Sequence, residues 1–125
     1  MTDAARAERP VVARSAAGVV QRVVANVQLA VRAPRDTLEL CVLCVLAEGH
    51  LIIEDFPGVG KTVLAKSVAR SLHLSFSRLQ FTPDLLPADL IGTLIYRPQD
   101  QQFVVQKGPI FSNLILADEI NRAPA

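Results

Sequence analysis

Leu51-Ile52-Ile53-Glu54-Asp55-Phe56-Pro57-Gly58-Val59-Gly60-Lys61-Thr62-Val63-Leu64 reads as an apolar strand, a loop carrying two glycines and the first turn of a helix. A loop of this kind leaves backbone N–H groups pointing outward at the positive end of a helix dipole, where a polyphosphate can settle. The candidate nucleotide-binding residues are therefore Pro57, Gly58, Val59, Gly60, Lys61, Thr62 and Val63. Gly58 and Gly60 let the backbone close around phosphates, Lys61 reaches the β and γ phosphates, and the Thr62 hydroxyl takes one position on a bound Mg²⁺. The pattern Gly-x-x-x-x-Gly-Lys-Ser/Thr would put its first glycine at position 55, where this chain has Asp55. Aspartate is one of the few other residues that tolerates positive φ and caps its own turn.

Leu114-Ile115-Leu116-Ala117-Asp118-Glu119 supplies the second half of the site. Four apolar residues followed by two carboxylates read as a buried parallel strand ending at a ligand crevice. Asp118 is the candidate metal residue beside Thr62, acting on the Mg²⁺ shell through water. Glu119 is the candidate catalytic residue beside Lys61, orienting and deprotonating the water that attacks the γ-phosphate. A glutamate in that position points to hydrolysis, and no Asn-Lys-x-Asp element for reading guanine occurs, so ATP is the expected nucleotide.

Three stretches together, PGVGKT (Pro57 to Thr62), FTPDLLPADLIGTLIYRP (Phe81 to Pro98) and GPIFSNLILADEINRAP (Gly108 to Pro124), resemble the MoxR family of AAA+ ATPases. The resemblance runs from about Val23 to the end of the chain. It implies an α/β P-loop NTPase core of three αβα layers with a parallel sheet. Two helices precede that core and a β-hairpin is inserted into it. It implies ATP and Mg²⁺ as cofactors, a homo-oligomeric ring, chaperone-like remodelling or assembly of partner proteins, and a von Willebrand A-type domain protein as a partner. In that family the phosphate-loop strand and the Asp118 strand flank a further strand, and a sensor, an arginine finger and a helical lid follow them. The expected organisation is thus a tail over residues 1–14 and the N-terminal portion of an ATPase core over 15–125. Residues 1–125 alone are expected to show no turnover. The alternative reading is a non-hydrolysing fragment that keeps only the nucleotide-binding loop. Where the family carries Val-Val-Gly-Lys or Val-Val-Gly-Gln near the adenine, this chain has Val31-Arg32-Ala33-Pro34.

Composition limits the other classes. The chain has 125 residues, 50% hydrophobic and 20% charged, with a formal net charge of +1. Six arginines stand against two acids in the first 35 residues, but they are dispersed and have no aromatic stacking platform, so nucleic acid is not an expected partner. The start lacks the apolar core of a secretory signal, and the longest apolar stretch, Leu40 to Ala47, is too short to span a bilayer, so a cytoplasmic location is expected. Cys41 and Cys44 form a C-x-x-C pair inside an apolar run with no second pair, which reads as buried thiols rather than a metal site. His50 and His73 read as structural.

Apolar residues recurring at three and four from Ser15 to Ala33 predict an amphipathic helix that Pro34 ends. Asp36 and Glu39 have the spacing of a capping box for a second helix through Ala47, stopped by Gly49. A third helix is expected from Lys61 to Leu72, and parallel strands over 51–54, 77–80 and 113–117. Thr93 to Arg97 and Gln102 to Gln106 around a polar turn predict a hairpin, with Tyr96 and Phe103 as a candidate cross-strand pair.

Overall fold

The computed structural model describes residues 15–54 and 60–124. Helix α1, Ala16–Gln28, starts where the Ser15 hydroxyl accepts the Gly18 N–H at 3.2 Å, satisfying one orphan donor of the first turn. Val20, Val23, Val24 and Val27 form its buried stripe. The helix stops earlier than the predicted Ala33. Leu29 and Ala30 switch to i→i−3 bonds onto Asn26 and Val27, and the tightened turn releases the chain so that Val31 can bury its side chain in the same cluster.

Helix α2, Arg35–Leu46, corrects the expected capping box. Pro34 is the N-cap, so Asp36 sits inside the first turn and Glu39 instead accepts from Arg35 at 2.9 Å one turn back. The helix ends in a Schellman motif, with Gly49 N–H bonded to Cys44 O at 2.9 Å and Glu48 N–H to Val45 O at 3.0 Å. The left-handed residue is Glu48, φ 55°, rather than the glycine after it. Helix α3, Lys61–Ser71, ends in the same way on His73, φ 55°, with Leu74 N–H on Ala69 O at 2.8 Å. That gives His73 the structural role expected of it.

The three helices share one core made of the α1 stripe, Val31, Leu38, Cys41 and Val42 from the α2 side, and Leu64 and Val68 from α3. Cys41 is buried and Cys44 half-buried, both as free thiols. Burial, reinforced by neighbouring Cys44, pushes the Cys41 thiol above its ordinary value. Among the described residues no group of three or more His, Cys, Asp or Glu could hold a metal ion, and no helix is long and apolar enough to cross a membrane.

Strand β1, Phe76–Gln80, later pairs with the last strand. Helix α4, Pro87–Ile91, follows it, its first turn closed by Leu86 N–H onto the Asp89 carboxylate at 2.9 Å. Strands β2, Gly92–Arg97, and β3, Gln102–Lys107, make the predicted antiparallel hairpin, with Tyr96 opposite Phe103 and their ring centroids 5.1 Å apart. Glycines close the base of the hairpin. Gly92 has φ 104°, and a Cβ there would overlap the Gln106 carbonyl; one on Gly108 would overlap the carbonyl of Leu90. Gly108 N–H bonds Ile91 O at 3.0 Å, so the hairpin leaves and returns to the end of α4.

Strand β4, Leu114–Asp118, lies parallel to β1 with Phe76 opposite Leu114 and Gln80 opposite Asp118. The fold is the expected α/β arrangement with a parallel sheet, preceded by two helices and carrying the hairpin. One expected strand is absent. Leu51 to Glu54 forms no ladder, and Ile52 is 85% exposed. A strand needs a neighbour for its N–H and C=O groups, and among the described residues none runs beside 51–54.

Candidate functional site

Gly60 stands immediately before α3 in the left-handed region, φ 84° and ψ 26°, with no atom of the described residues within 4 Å of where a Cβ would be. The open space and positive φ both suit glycine. Among the described residues no side chain caps α3, and its first turn, which carries Lys61, Thr62 and Val63, contains no acidic residue. That turn is therefore an electropositive helix end. Asp55 to Val59 lie outside the described residues, and with them the expectations at Pro57, Gly58 and Val59.

Asp118 is the last residue of β4. Its carbonyl accepts Phe81 N–H at 3.0 Å, which fixes its backbone at the end of the sheet. Arg78 Nη2 donates to Asp118 Oδ2 at 2.6 Å. That hydrogen bond, aided by the Arg78 charge, the Glu119 backbone N–H and last the Lys61 charge, holds the Asp118 carboxyl below its usual range against the opposing effect of desolvation. Lys61 from the start of α3 and Asp118 from the end of β4 thus lie within electrostatic reach of each other.

Glu119 follows in the left-handed region, φ 54°, and opens a 3₁₀ turn over Ile120–Arg122. Its Oε2 pairs with Arg122 Nε at 3.1 Å. A non-glycine residue held at positive φ stores strain, and such positions cluster at functional sites. Arg78 and Arg122 were not among the sequence-predicted site residues. Arg122 lies three residues after Glu119, a spacing visible in the sequence. Arg78 carried no signal until the β1–β4 register was known.

The donor set suits Mg²⁺ and a polyphosphate. Asp118 and Thr62 offer hard oxygen donors, and Lys61 with the uncapped α3 terminus offers positive potential.

Residues 50–125 match the family model described as the ATPase family associated with various cellular activities (AAA). Chaperone MoxR1 of Mycobacterium tuberculosis is 42% identical over 106 residues, covering 85% of this chain and 28% of that protein. An uncharacterized protein of Bacillus subtilis, YeaC, is 49% identical over 88 residues, covering 70% of this chain and 28% of that one. A crystal structure from Cytophaga hutchinsonii, described as that of a candidate ATPase, superposes with a TM-score of 0.74 at 43% identity, over 86% of this chain and 32% of that chain. The chain spans less than a third of the length of each of these relatives.

Proposed function

Because the chain belongs to the AAA family of ATPases, and within it to the MoxR group, we propose that it forms the nucleotide-gripping portion of an ATP hydrolase. Residues 15–125 make up the N-terminal portion of the ATPase core. Gly58, Val59, Gly60 and Val63 cradle the phosphates through backbone N–H groups, and Pro57, which has no N–H to donate, sets the bend of the loop. Lys61 neutralises the β and γ phosphates, and Thr62 and Asp118 hold the Mg²⁺ shell, which supplies charge neutralisation at the transferring phosphate. Glu119 polarises the attacking water and takes its proton.

The observation that supports this reading is that Lys61, 57 positions earlier in the sequence, stands in the first turn of α3 near enough for its charge to act on Asp118 at the end of β4. In the whole protein the same grip drives a cytoplasmic homo-oligomeric ring that remodels or assembles partner proteins, a von Willebrand A-type domain protein among them. Support for that wider role comes from the similarity to a protein named a chaperone.

The test compares Lys61→Ala with Glu119→Gln in the full-length protein. Lys61→Ala is expected to weaken ATP binding. Glu119→Gln is expected to leave binding intact and stop steady-state phosphate release. Turnover unchanged by Glu119→Gln would remove that carboxylate from the mechanism.

A further inference from the structure

Asp118 cannot move its backbone freely. It is opposite Gln80 in the ladder and its carbonyl is bonded to Phe81, so only its side-chain torsions remain to be set. Arg78 lies opposite Leu116, two residues before Asp118, and residues i and i+2 of a strand share a face. Its long side chain therefore runs diagonally across the sheet and donates Nη2 to Oδ2 at 2.6 Å, at the short end for a charge-assisted bond. Arg78 engages one carboxylate oxygen through one nitrogen. The positive charge of Lys61 reaches the same carboxylate from α3. The pair adds little to stability, because the side chains are 46% and 34% exposed. Its consequence is orientation.

We propose that Arg78 is a positioning residue for Asp118, holding Oδ2 so that Oδ1 is presented to the water shell of a nucleotide-bound divalent cation. The inference rests on the assignment of Asp118 as the metal carboxylate. Groups that orient a ligand from outside the coordination shell commonly change metal affinity by about 10–100-fold when removed, and an exposed pair belongs at the low end. Arg78 therefore acts on the part of nucleotide affinity that depends on Mg²⁺, and not on the part that the phosphate loop provides alone.

The experiment titrates a fluorescent ATP analogue into the protein with Mg²⁺ and again with EDTA, for wild type, Arg78→Ala, Arg78→Lys, Asp118→Asn and the double variant Arg78→Ala with Asp118→Asn. The ratio of the two affinities is the readout, and thermal melts check folding. Arg78→Ala is expected to bind as wild type in EDTA and to lose about tenfold of the Mg²⁺-dependent gain. Asp118→Asn should lose the same gain, the double variant no more than either single one, and Arg78→Lys should recover part of it. Three results would overturn the proposal: a full Mg²⁺ gain in Arg78→Ala, an equal loss with and without Mg²⁺, or additive losses in the double variant. Wild type with no nucleotide binding in either condition would instead refute the nucleotide-binding reading, and the role of Arg78 with it.

Discussion

Two leucines on α2 should respond to truncation in opposite ways. Leu38 is fully buried among Val24, Val27 and Val42, while Leu40, two residues on, is 65% exposed. Leu38→Ala removes three side-chain carbons from a packed site that three helices share, and Leu→Ala at fully buried sites costs about 3–5 kcal/mol including the cavity left behind. Leu40→Ala removes little buried area and gains slightly in helix propensity, so its effect should stay within about 0.5 kcal/mol. With a urea m-value of about 2 kcal/mol per molar, the lower figure for Leu38→Ala moves the unfolding midpoint down by roughly 1.5 M, against less than about 0.3 M for Leu40→Ala. A domain of this size has roughly 5–15 kcal/mol to lose, so the first variant sits near the edge of folding. Urea unfolding followed by far-ultraviolet circular dichroism measures both midpoints. Equal shifts in the two variants, or a larger shift for Leu40→Ala, would refute the packing of α2 onto α1 through its Leu38 face. Because Leu64 and Val68 of α3 belong to the same cluster, Leu38→Ala should also loosen the helix that carries Lys61 and Thr62.

Glu48→Gly should stabilise the protein by about 0.5 kcal/mol, since relief of left-handed strain of about 1–2 kcal/mol outweighs the added freedom of the unfolded chain; a lowered melting temperature would contradict it. Gly92→Ala should cost about 2 kcal/mol or more and strip hydrogen-exchange protection from the hairpin, because its Cβ would overlap the Gln106 carbonyl at φ 104°; unchanged protection across Thr93 to Gln106 would count against the pinched base. The raised Cys41 thiol gives a pH dependence with a definite sign. Above its ordinary value of 9.0 the unfolded chain releases a proton that the folded chain keeps, so this contribution is complete below about pH 9 and fades as pH rises through the folded value. Cys41→Ala should therefore flatten the decline of the urea midpoint between about pH 8.5 and 10.5 relative to wild type, and an unchanged slope would mean that the thiol titrates normally.

How far the sequence could be read depended on whether each signal was local. The α1 stripe and the two β-rich runs around the polar turn of the hairpin are local, and the structure follows both. The burial of α2 was not legible, because a run such as Leu40-Cys41-Val42-Leu43-Cys44 is apolar on every face and only its neighbours decide which leucine turns inward. Leu51 to Glu54 was expected as a strand, but apolar composition is a property of the segment and a ladder is a property of two segments. Lys61, Thr62, Asp118 and Glu119 stand out because a glycine loop and an acidic strand end are chemical signals in their own right. An arginine in mid-strand is not, so Arg78 emerged only from the register that sets it diagonally to Asp118.

The meeting of Lys61 and Asp118 follows from matched lengths more than from the segment before the phosphate loop. Helix α3 has 11 residues and rises about 16 Å at 1.5 Å per residue. Strand β4 has 5 residues and covers about 16 Å at 3.3 Å per residue. The two are tied at one end, where the left-handed His73 turns the chain out of α3 and directly into β1. There Ser75 N–H bonds Asn113 Oδ1 at 3.1 Å, Asn113 N–H bonds Ser75 Oγ at 2.8 Å, and Leu114 N–H bonds Ser75 O at 3.0 Å. These bonds set the starts of β1 and β4 level with each other and next to the end of α3. The helix packs back along both strands, with Leu64, Val68 and Ala69 buried. An element of equal length running the other way must bring its first residue to the far end of β4. The start of α3 therefore reaches Asp118 even though residues 51–54 make no ladder, because its position is fixed from its C-terminal end and by the helical core.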